Sequence, residues 1–140
     1  MLKDCRMQTT LPVADLARAR NFYAEKLGLT PTWEVPTGII YECGEGTRFV
    51  LSPMAAKPAG HTQMSFVVQD LAAEVKALKS RGVAFEEYDT PGAKTVDSIA
   101  DRGALKAAWF KDTEGNTIGV IQWVKEPARL GKEAAATVSG

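Results

Sequence analysis

The chain has little of what several common classes of protein require. Among its 140 residues there are one histidine and two cysteines, and Lys+Arg and Asp+Glu are both 17. A nucleic-acid-binding protein usually carries a basic excess on one face, so this balance argues against that class. No apolar run approaches the ~20 residues that span a bilayer, which argues against a membrane protein.

The two cysteines and the N-terminus indicate the compartment. Cys5 and Cys43 lack the CxxC spacing of redox and zinc motifs, which favours two reduced thiols packed as small hydrophobic residues. The first ten residues contain no apolar segment of the kind that a signal peptide needs. We therefore expect a cytoplasmic protein.

Motifs that would identify common enzymes are absent from the sequence as well. There is no nucleophile elbow, no phosphate-binding Walker loop, no Rossmann glycine fingerprint and no zinc-binding helix motif. The carboxylates are scattered, and no pair of them indicates acid–base chemistry.

What the chain does contain is an internal repeat. QTTLPVADLA at 8–17 and QMSFVVQDLA at 63–72 are identical at five of ten positions, at an offset of 55. Each copy alternates like a half-buried strand and then reaches an aspartate, Asp15 or Asp70. An aspartate there predicts a helix N-cap, because its carboxylate accepts backbone N–H bonds.

The helices and the strands that follow them also repeat. Gly28 and Gly82 predict the two helix ends, because glycine tolerates the left-handed conformation found there. Gly46 and Gly115 predict matching turns in the last hairpin of each copy. The strands predicted after the helices are 32–35, 39–43 and 47–52 in the first copy, and 83–88, 105–111 and 116–123 in the second.

These elements predict an α+β fold in which a βαβββ module occurs twice, at 5–53 and 61–124. We expect one domain over 1–124, with both helices on one side of curved sheets and a concave surface on the other. The polar segment 89–104 interrupts the symmetry and is either a lid or a plain mobile loop. The Ala-rich tail at 125–140 is expected to be a frayed helix or disordered.

Two stretches carry a resemblance to a known family. TLPVADLARARNFYAEKLGL at 10–29 and WFKDTEGNTIGVIQ at 109–122 resemble the vicinal oxygen chelate superfamily, which includes glyoxalases, extradiol dioxygenases and bleomycin-resistance proteins. The likeness covers residues 5–124. It implies that the two modules form a curved, cup-like mixed sheet, and that the protein is a homodimer.

The resemblance also implies where a metal ion would bind. In the metal-dependent members, four positions of the cup carry ligands, and here they hold Gln8 and Gln63 on the first strands and Val50 and Gly119 on the last. Two neutral amides and two residues without a donor do not offer the anionic oxygens or imidazoles that a divalent cation prefers. We therefore expect no metal ion and no other cofactor.

His61, the single histidine, lies two residues before Gln63. Strand alternation would place it on the same face, about 7 Å along the strand at ~3.3 Å per residue. Three interpretations stay open for it: a solvated or hydrogen-bonded residue at the rim, a residue that contacts a ligand, or a catalytic base or metal ligand. A base is conceivable because the pKa of a histidine lies near neutrality.

The remaining side chains of the predicted cup mix polar and apolar groups, as small-molecule sites do. The same residues also have ordinary explanations, because a buried aromatic is usually part of a core or a dimer interface and an arginine at a sheet edge is usually solvated. The predicted ligand-binding residues are Gln8, Thr10, Tyr41, Arg48, Val50, His61, Gln63, Ser65, Gly119 and Ile121.

Three functions are consistent with these observations. The favoured one is a metal-free protein that binds a small molecule in the cup, for resistance or sequestration. A glyoxalase-like lyase or isomerase, or a dioxygenase-like enzyme, would need ligands that the sequence does not identify, from a partner subunit or from the segment 89–104. A dimeric interaction module would depend on its surface and not on the cup.

Overall fold

The computed structural model describes residues 1–54, 57, 59–91, 93–125 and 128–130. Two α-helices and nine strands follow one another within these ranges. In order they are β1 (Gln8–Val13), α1 (Leu16–Leu27), β2 (Trp33–Val35), β3 (Gly38–Glu42), β4 (Arg48–Pro53), β5 (Thr62–Val67), α2 (Leu71–Ser80), β6 (Thr95–Val96), β7 (Ile99–Asp101), β8 (Leu105–Lys111) and β9 (Thr117–Trp123). Among the described residues, no helix combines the length and apolar character needed to cross a membrane.

The strands form two mixed sheets of the same design. The first has the order β1-β4-β3-β2 and the second the order β5-β9-β8-β7-β6. In each sheet the strand before the helix pairs in parallel with the last strand of the module, and the other pairs are antiparallel. The predicted α+β class with a repeated βαβββ unit is therefore confirmed, and the second sheet carries one strand more than the first.

Both helices begin at the predicted aspartates. The Asp15 carboxylate accepts a hydrogen bond from the Arg18 backbone N–H at 3.0 Å, and the Asp70 carboxylate accepts one from that of Ala73 at 3.1 Å. Helix α1 ends at Gly28, which has a φ of 70°. These local signals were sufficient because each cap satisfies backbone groups that the helix itself leaves unpaired.

The strand predicted over 83–88 is wrong. The polar segment 89–104, predicted to be either a lid or a plain mobile loop, is not a plain loop, because it contains two short strands. Residues 83–88 make only a single bridge, between Phe85 and Phe110. The polar segment instead contributes β6 and β7, and β7 pairs with the edge of β8. Gly92 of this segment lies outside the described residues. So do Pro58, before β5, and residues 126, 127 and 131–140 of the predicted tail.

A carboxylate explains why the polar segment forms a hairpin. Asp97 and Ser98 have φ values of 52° and 72°, which make the tight turn between β6 and β7. The Glu87 carboxylate accepts hydrogen bonds from the Ser98 backbone N–H at 3.1 Å and from the Thr95 hydroxyl at 2.8 Å. The pKa of Glu87 is lowered, first by its bond to the Ser98 hydroxyl. Burial of Ser98 in this turn is tolerated because its N–H and its hydroxyl are both paired with Glu87.

The core lies on the helix side of both sheets. Tyr23 of α1 packs against Tyr41 and Phe49 with ring centroids 5.6 Å away in each case. Phe49 in turn meets Phe66 of the second sheet edge to face at 6.2 Å. One hydrophobic cluster therefore spans both halves and leaves the opposite sheet faces free to form a site.

Candidate functional site

Strand pairing defines an open face on the first sheet, directed away from α1. Gln8 is the Cα partner of Arg48, and Thr10 is the partner of Val50. On the next strand Val50 is opposite Ile40. Four of the predicted ligand-binding residues therefore share one face, as their alternation indicated.

Arg48 is held in place on this face by an aromatic ring. Its guanidinium lies 4.2 Å from the centroid of the Trp33 ring, a distance typical of a cation–π contact. The Glu42 carboxylate is 3.8 Å away. The Arg48 Nε atom is buried and makes no hydrogen bond with any described residue. The side chain is thus packed against Trp33 and retains an unused donor.

The predicted place of Tyr41 in the cup is wrong. It pairs with Phe49, one residue out of phase with Val50, so it projects toward α1. The Tyr41 and Phe49 rings stack at 4.6 Å with an interplanar angle of 4°, and Tyr41 is 1% exposed. Burial raises the pKa of Tyr41 to about 12. Tyr41 therefore belongs to the core and has no surface to offer a ligand.

The second sheet has an open face of its own. Ser65 is opposite Gly119, and Gly119 is opposite Trp109. A Cβ atom on Gly119 would lie 2.5 Å from the Ser65 Oγ and 3.3 Å from the Thr62 methyl carbon. Ser65 and Thr62 therefore fill the space that a side chain at 119 would need. Ile121 lies on the same face, one row further along and opposite Val67.

A bulge lies where β5 begins. The pairing with β9 slips between Thr62 and Met64, so Gln63 has no cross-strand partner. The Gln63 Oε1 atom is buried and makes no hydrogen bond within the described part of the chain. Because a bulge adds one residue to the strand, alternation does not determine which face Gln63 occupies. The sequence-based prediction that Gln63 and His61 lie on the same face as Ser65 assumed unbroken alternation, so for these two residues it stays a prediction.

His61 is exposed at the start of the second sheet. Its Nδ1 atom lies 3.0 Å from the Thr62 carbonyl oxygen. A carbonyl can only accept, so this hydrogen bond requires the proton on Nδ1. The neutral ring then presents Nε2 as an acceptor.

A cavity of about 630 Å³ lies at the His61 end of the second open face. Its floor and walls come from the entry to β5, the β8–β9 hairpin and the segment before β6. The described residues that line it are Lys57, Ala59, Gly60, His61, Thr62, Tyr88, Ala93, Trp109, Lys111, Glu114, Gly115 and Thr117. Of the residues predicted from the sequence, it contains only His61.

Two aromatic rings form a wall of this cavity. Tyr88 and Trp109 pack edge to face, with centroids 5.6 Å apart and an interplanar angle of 65°. The Tyr88 backbone is fixed by Thr95, whose hydroxyl accepts from the Tyr88 N–H at 2.8 Å and whose own N–H donates to the Tyr88 carbonyl at 2.8 Å. Sequence reasoning left the direction of Trp109 open. Placing its neighbour Phe110 in the core would have determined it, because alternate strand residues face opposite ways.

A second cavity, of about 620 Å³, separates the edges of β1 and β5. It brings together Arg48 and Ser65, one predicted residue from each sheet, and is also lined by Cys43 and Phe49. Burial raises the pKa of the Cys43 thiol. Neither cavity is lined by Gln8 or Gln63, so the paired amides expected at the centre of the cup do not meet in these two cavities.

Comparison with known proteins identifies the fold family. A family model, the Glyoxalase/Bleomycin resistance protein/Dioxygenase superfamily, matches residues 7–120. The chain belongs to this superfamily. It is 29% identical over 131 residues to the uncharacterized protein YurT of Bacillus subtilis (strain 168), a match that covers 81% of this chain and 95% of that protein.

Solved structures share the fold of this superfamily member. A glyoxalase/bleomycin resistance protein/dioxygenase from Nocardioides aligns with a TM-score of 0.65 at 21% identity, over 91% of this chain and 89% of that one. TnmS3, an antibiotic-binding protein from Streptomyces sp. CB03234, aligns with a TM-score of 0.60 at 24% identity, over 88% of this chain and 98% of that one. At these identities the likeness shows the fold alone.

The residues at the superfamily's metal positions do not fit a metal ion. Val50 and Gly119 have no donor, and Ser65 already occupies the space beside Gly119. Gln8 and Gln63 supply neutral amides, which do not compensate for the desolvation of a divalent cation. Within the described ranges, no three His, Cys, Asp or Glu side chains lie close enough together to hold one.

Proposed function

We propose that the protein binds a small molecule on the open faces of its sheets without the help of a metal ion, in a resistance or sequestration role. The observation that carries the proposal is the cavity of about 630 Å³ walled by Trp109 and Tyr88. Sites for small molecules are typically concave, of ~300–1,000 Å³, and lined by aromatic groups with a few polar ones. The antibiotic-binding relative TnmS3 supports this class of function on the same fold.

The polar groups of the cavity suit recognition of a ligand. Thr62 and Thr117 are opposite each other across β5 and β9, and both line the cavity. Their hydroxyls can donate or accept, and the imidazole of His61 adds a further hydrogen-bonding group. A few such groups fix the orientation of a ligand whose affinity comes from the aromatic wall.

Contacts are proposed to extend beyond the cavity along both open faces. Ser65, Gly119 and Ile121 continue the second face from Thr62 and Trp109 toward the far end of the sheet. On the first face, the polar and apolar side chains of β1 and β4 offer a further surface for a larger ligand. Those residues are Gln8, Thr10, Arg48 and Val50.

A thermal-shift screen of small molecules, followed by titration of the hits, tests the proposal. Trp109→Leu removes one of the two rings of the aromatic wall and is expected to weaken binding of each hit about 5-fold, because a stacked ring contributes ~1 kcal/mol. Trp123→Leu is the matched control, since Trp123 lies on the same face at the opposite end of β9. Hits that bind both variants equally well would remove the cavity from consideration.

Melting temperatures measured with added metal ions test whether the protein functions without a metal. Zinc, nickel, manganese or ferrous ions added to metal-stripped protein are expected to leave the melting temperature unchanged, because ligands that bind only the folded state raise it. Near-stoichiometric metal in protein purified without chelators would contradict the proposal.

A second candidate function is catalysis in the same cavity with His61 as a general base. The observation in its favour is the hydrogen bond from Nδ1 to the Thr62 carbonyl, which leaves Nε2 able to take up a proton. His61→Gln should then abolish turnover of a hit while leaving its affinity within a factor of a few. If no hit is consumed over long incubation, binding alone remains.

We further propose a cytoplasmic homodimer. Strands β1 and β5 are sheet edges, and edges with unpaired N–H and C=O groups are usually covered. Met7, just before β1, and Val67, in β5, are 90% and 64% exposed. Cys5 and Cys43 are free thiols, which is consistent with a reducing compartment. Light scattering that gives a monomer at high concentration would contradict the dimer.

A further inference from the structure

We infer that the ligand of the cavity beside Trp109 and Tyr88 is an organic anion with a flat conjugated body. The inference rests on the proposed function and adds the chemical class of the ligand. It follows from the charges that face the cavity and from the shape of its wall.

The one carboxylate on the cavity lining, among described residues, is already neutralised. Glu114 Oε2 accepts from Arg18 Nε at 2.8 Å and from the Thr113 hydroxyl at 2.8 Å, while its Oε1 accepts the backbone N–H groups of Ala14 and Asp15, each at 2.9 Å. The Glu114 side chain is 1% exposed. Its oxygens are therefore directed at the start of α1 and present no free negative charge to a ligand.

The basic groups on the lining are not neutralised to the same degree. Lys57 is exposed and makes no ion pair with the described part of the chain. Lys111 is 3.6 Å from Glu86, and its side chain is 58% exposed. An exposed pair at that distance is weak and exchanges readily for a better partner. His61 adds an imidazole ring to the same lining.

The wall of the cavity selects the body of the ligand. An edge-to-face pair such as Tyr88 and Trp109 favours a further planar ring, because offset stacking and edge contacts extend the same packing. A carboxylate, sulfonate or phenolate on that ring could then meet Lys57 or Lys111. An ammonium group there would face two like charges, and no described residue of the lining offers it a free carboxylate. Like-charge contacts oppose binding.

Three naphthalenes with the same ring and different charge test this inference on the full chain: 2-naphthoate, 2-naphthamide and 2-naphthylmethylamine. Titrations at low salt are expected to rank them in that order, with the carboxylate about 10-fold tighter than the amide. Raising the salt concentration is expected to weaken the binding of 2-naphthoate and to leave the binding of 2-naphthamide unchanged, because salt screens only the charged contact.

Lysine variants locate the charge. Lys57→Gln and Lys111→Gln are each expected to lower the affinity for 2-naphthoate severalfold without changing the affinity for 2-naphthamide. Lys106→Gln is the matched control, since Lys106 is on β8 but out of phase with Lys111 and Trp109. Unchanged melting temperatures establish that all three variants fold.

The possible failures are distinct. If the amide or the amine binds as tightly as the carboxylate, and its binding still depends on Trp109, the inference that the ligand is an anion is wrong. The proposed small-molecule binding would then stand. An affinity for 2-naphthoate that is unchanged in both Lys57→Gln and Lys111→Gln would also overturn the inference. If none of the three compounds binds, the inference fails, and the small-molecule screen decides separately whether the cavity binds anything.

Discussion

The Glu114 carboxylate lies 2.8 Å from the Arg18 guanidinium, Oε2 to Nε, and joins the last hairpin of the second module to the first helix of the first. The same side chain accepts the backbone N–H groups of Ala14 and Asp15 at 2.9 Å. A negative charge at a helix start is favoured by the helix dipole as well as by these bonds. This contact fixes how the two halves sit together, and the cavity beside Glu114 depends on that arrangement.

Glu114→Gln is expected to destabilise the protein by about 1–3 kcal/mol, since hydrogen bonds to charged groups contribute about that much. The amide keeps one acceptor oxygen but loses the charge and places an NH₂ group against donors. The free energy of unfolding in urea measures the loss.

The internal repeat supplies the control for this change. Glu45 holds the matching position in the turn of the first module, and its side chain makes no hydrogen bond or ion pair within the described residues. Glu45→Gln should stay within ~0.5 kcal/mol of the natural protein, as surface substitutions usually do. Equal losses at the two positions would show that the contact with Arg18 is not stabilising.

The same contact makes stability depend on pH in the acid range. The hydrogen bond from Arg18, helped by the backbone donors, lowers the pKa of Glu114 from 4.5 to about 2. The unfolded chain therefore binds a proton between these values while the folded chain does not, so stability is full above pH 4.5 and falls as the pH drops toward 2. Urea unfolding at pH 5.5 and pH 3 should show a larger fall for the natural protein than for Glu114→Gln. An equal fall in the free energy of unfolding for the two proteins would contradict the assignment of the pH dependence to Glu114.

Two buried tyrosines are expected to respond oppositely to loss of their hydroxyls. Tyr23 donates to the Asp112 carboxylate at 2.9 Å, whereas the Tyr41 hydroxyl is buried and makes no bond with a described residue. Burial first, and then the Asp112 charge, raises the pKa of Tyr23 far above its ordinary value. Tyr23→Phe should cost about 1–2 kcal/mol, because a buried charged acceptor loses a donor.

Tyr41→Phe, by the same reasoning, should be neutral or slightly stabilising, because it removes a polar atom that lost its water on folding. Thermal unfolding of the two variants side by side is sufficient. A marked loss in Tyr41→Phe would mean that its hydroxyl finds a partner, such as a buried water molecule.

Much of the fold was readable from the sequence because its signals are local. The caps at Asp15 and Asp70, the stop at Gly28 and the turn at Gly115 each depend on a few neighbouring residues. Their repetition at a fixed offset then indicated the architecture. What failed depended on distant partners: β7 exists because the edge of β8 accepts it and because Glu87 pairs the groups of its turn.

The site was harder to read than the fold. In β3 both faces carry apolar residues, so alternation leaves two possible phases, and the wrong one placed Tyr41 in the cup. At Gln63 a bulge broke the alternation altogether. The aromatic wall of the cavity joins Trp109 to Tyr88, and nothing local to Tyr88 indicates that pairing, because Thr95 holds its backbone in place.

Gly119 supplies a last prediction, since its missing side chain is what lets Ser65 lie across β9. A Cβ atom there would stand 2.5 Å from the Ser65 Oγ, so Gly119→Ala must displace that hydroxyl and is expected to cost about 1–3 kcal/mol, as overpacking usually does. Ser65→Ala removes the offending atom and should recover part of the loss in the double variant. A cycle of the four proteins measures this coupling by urea unfolding, and strictly additive losses would contradict the contact.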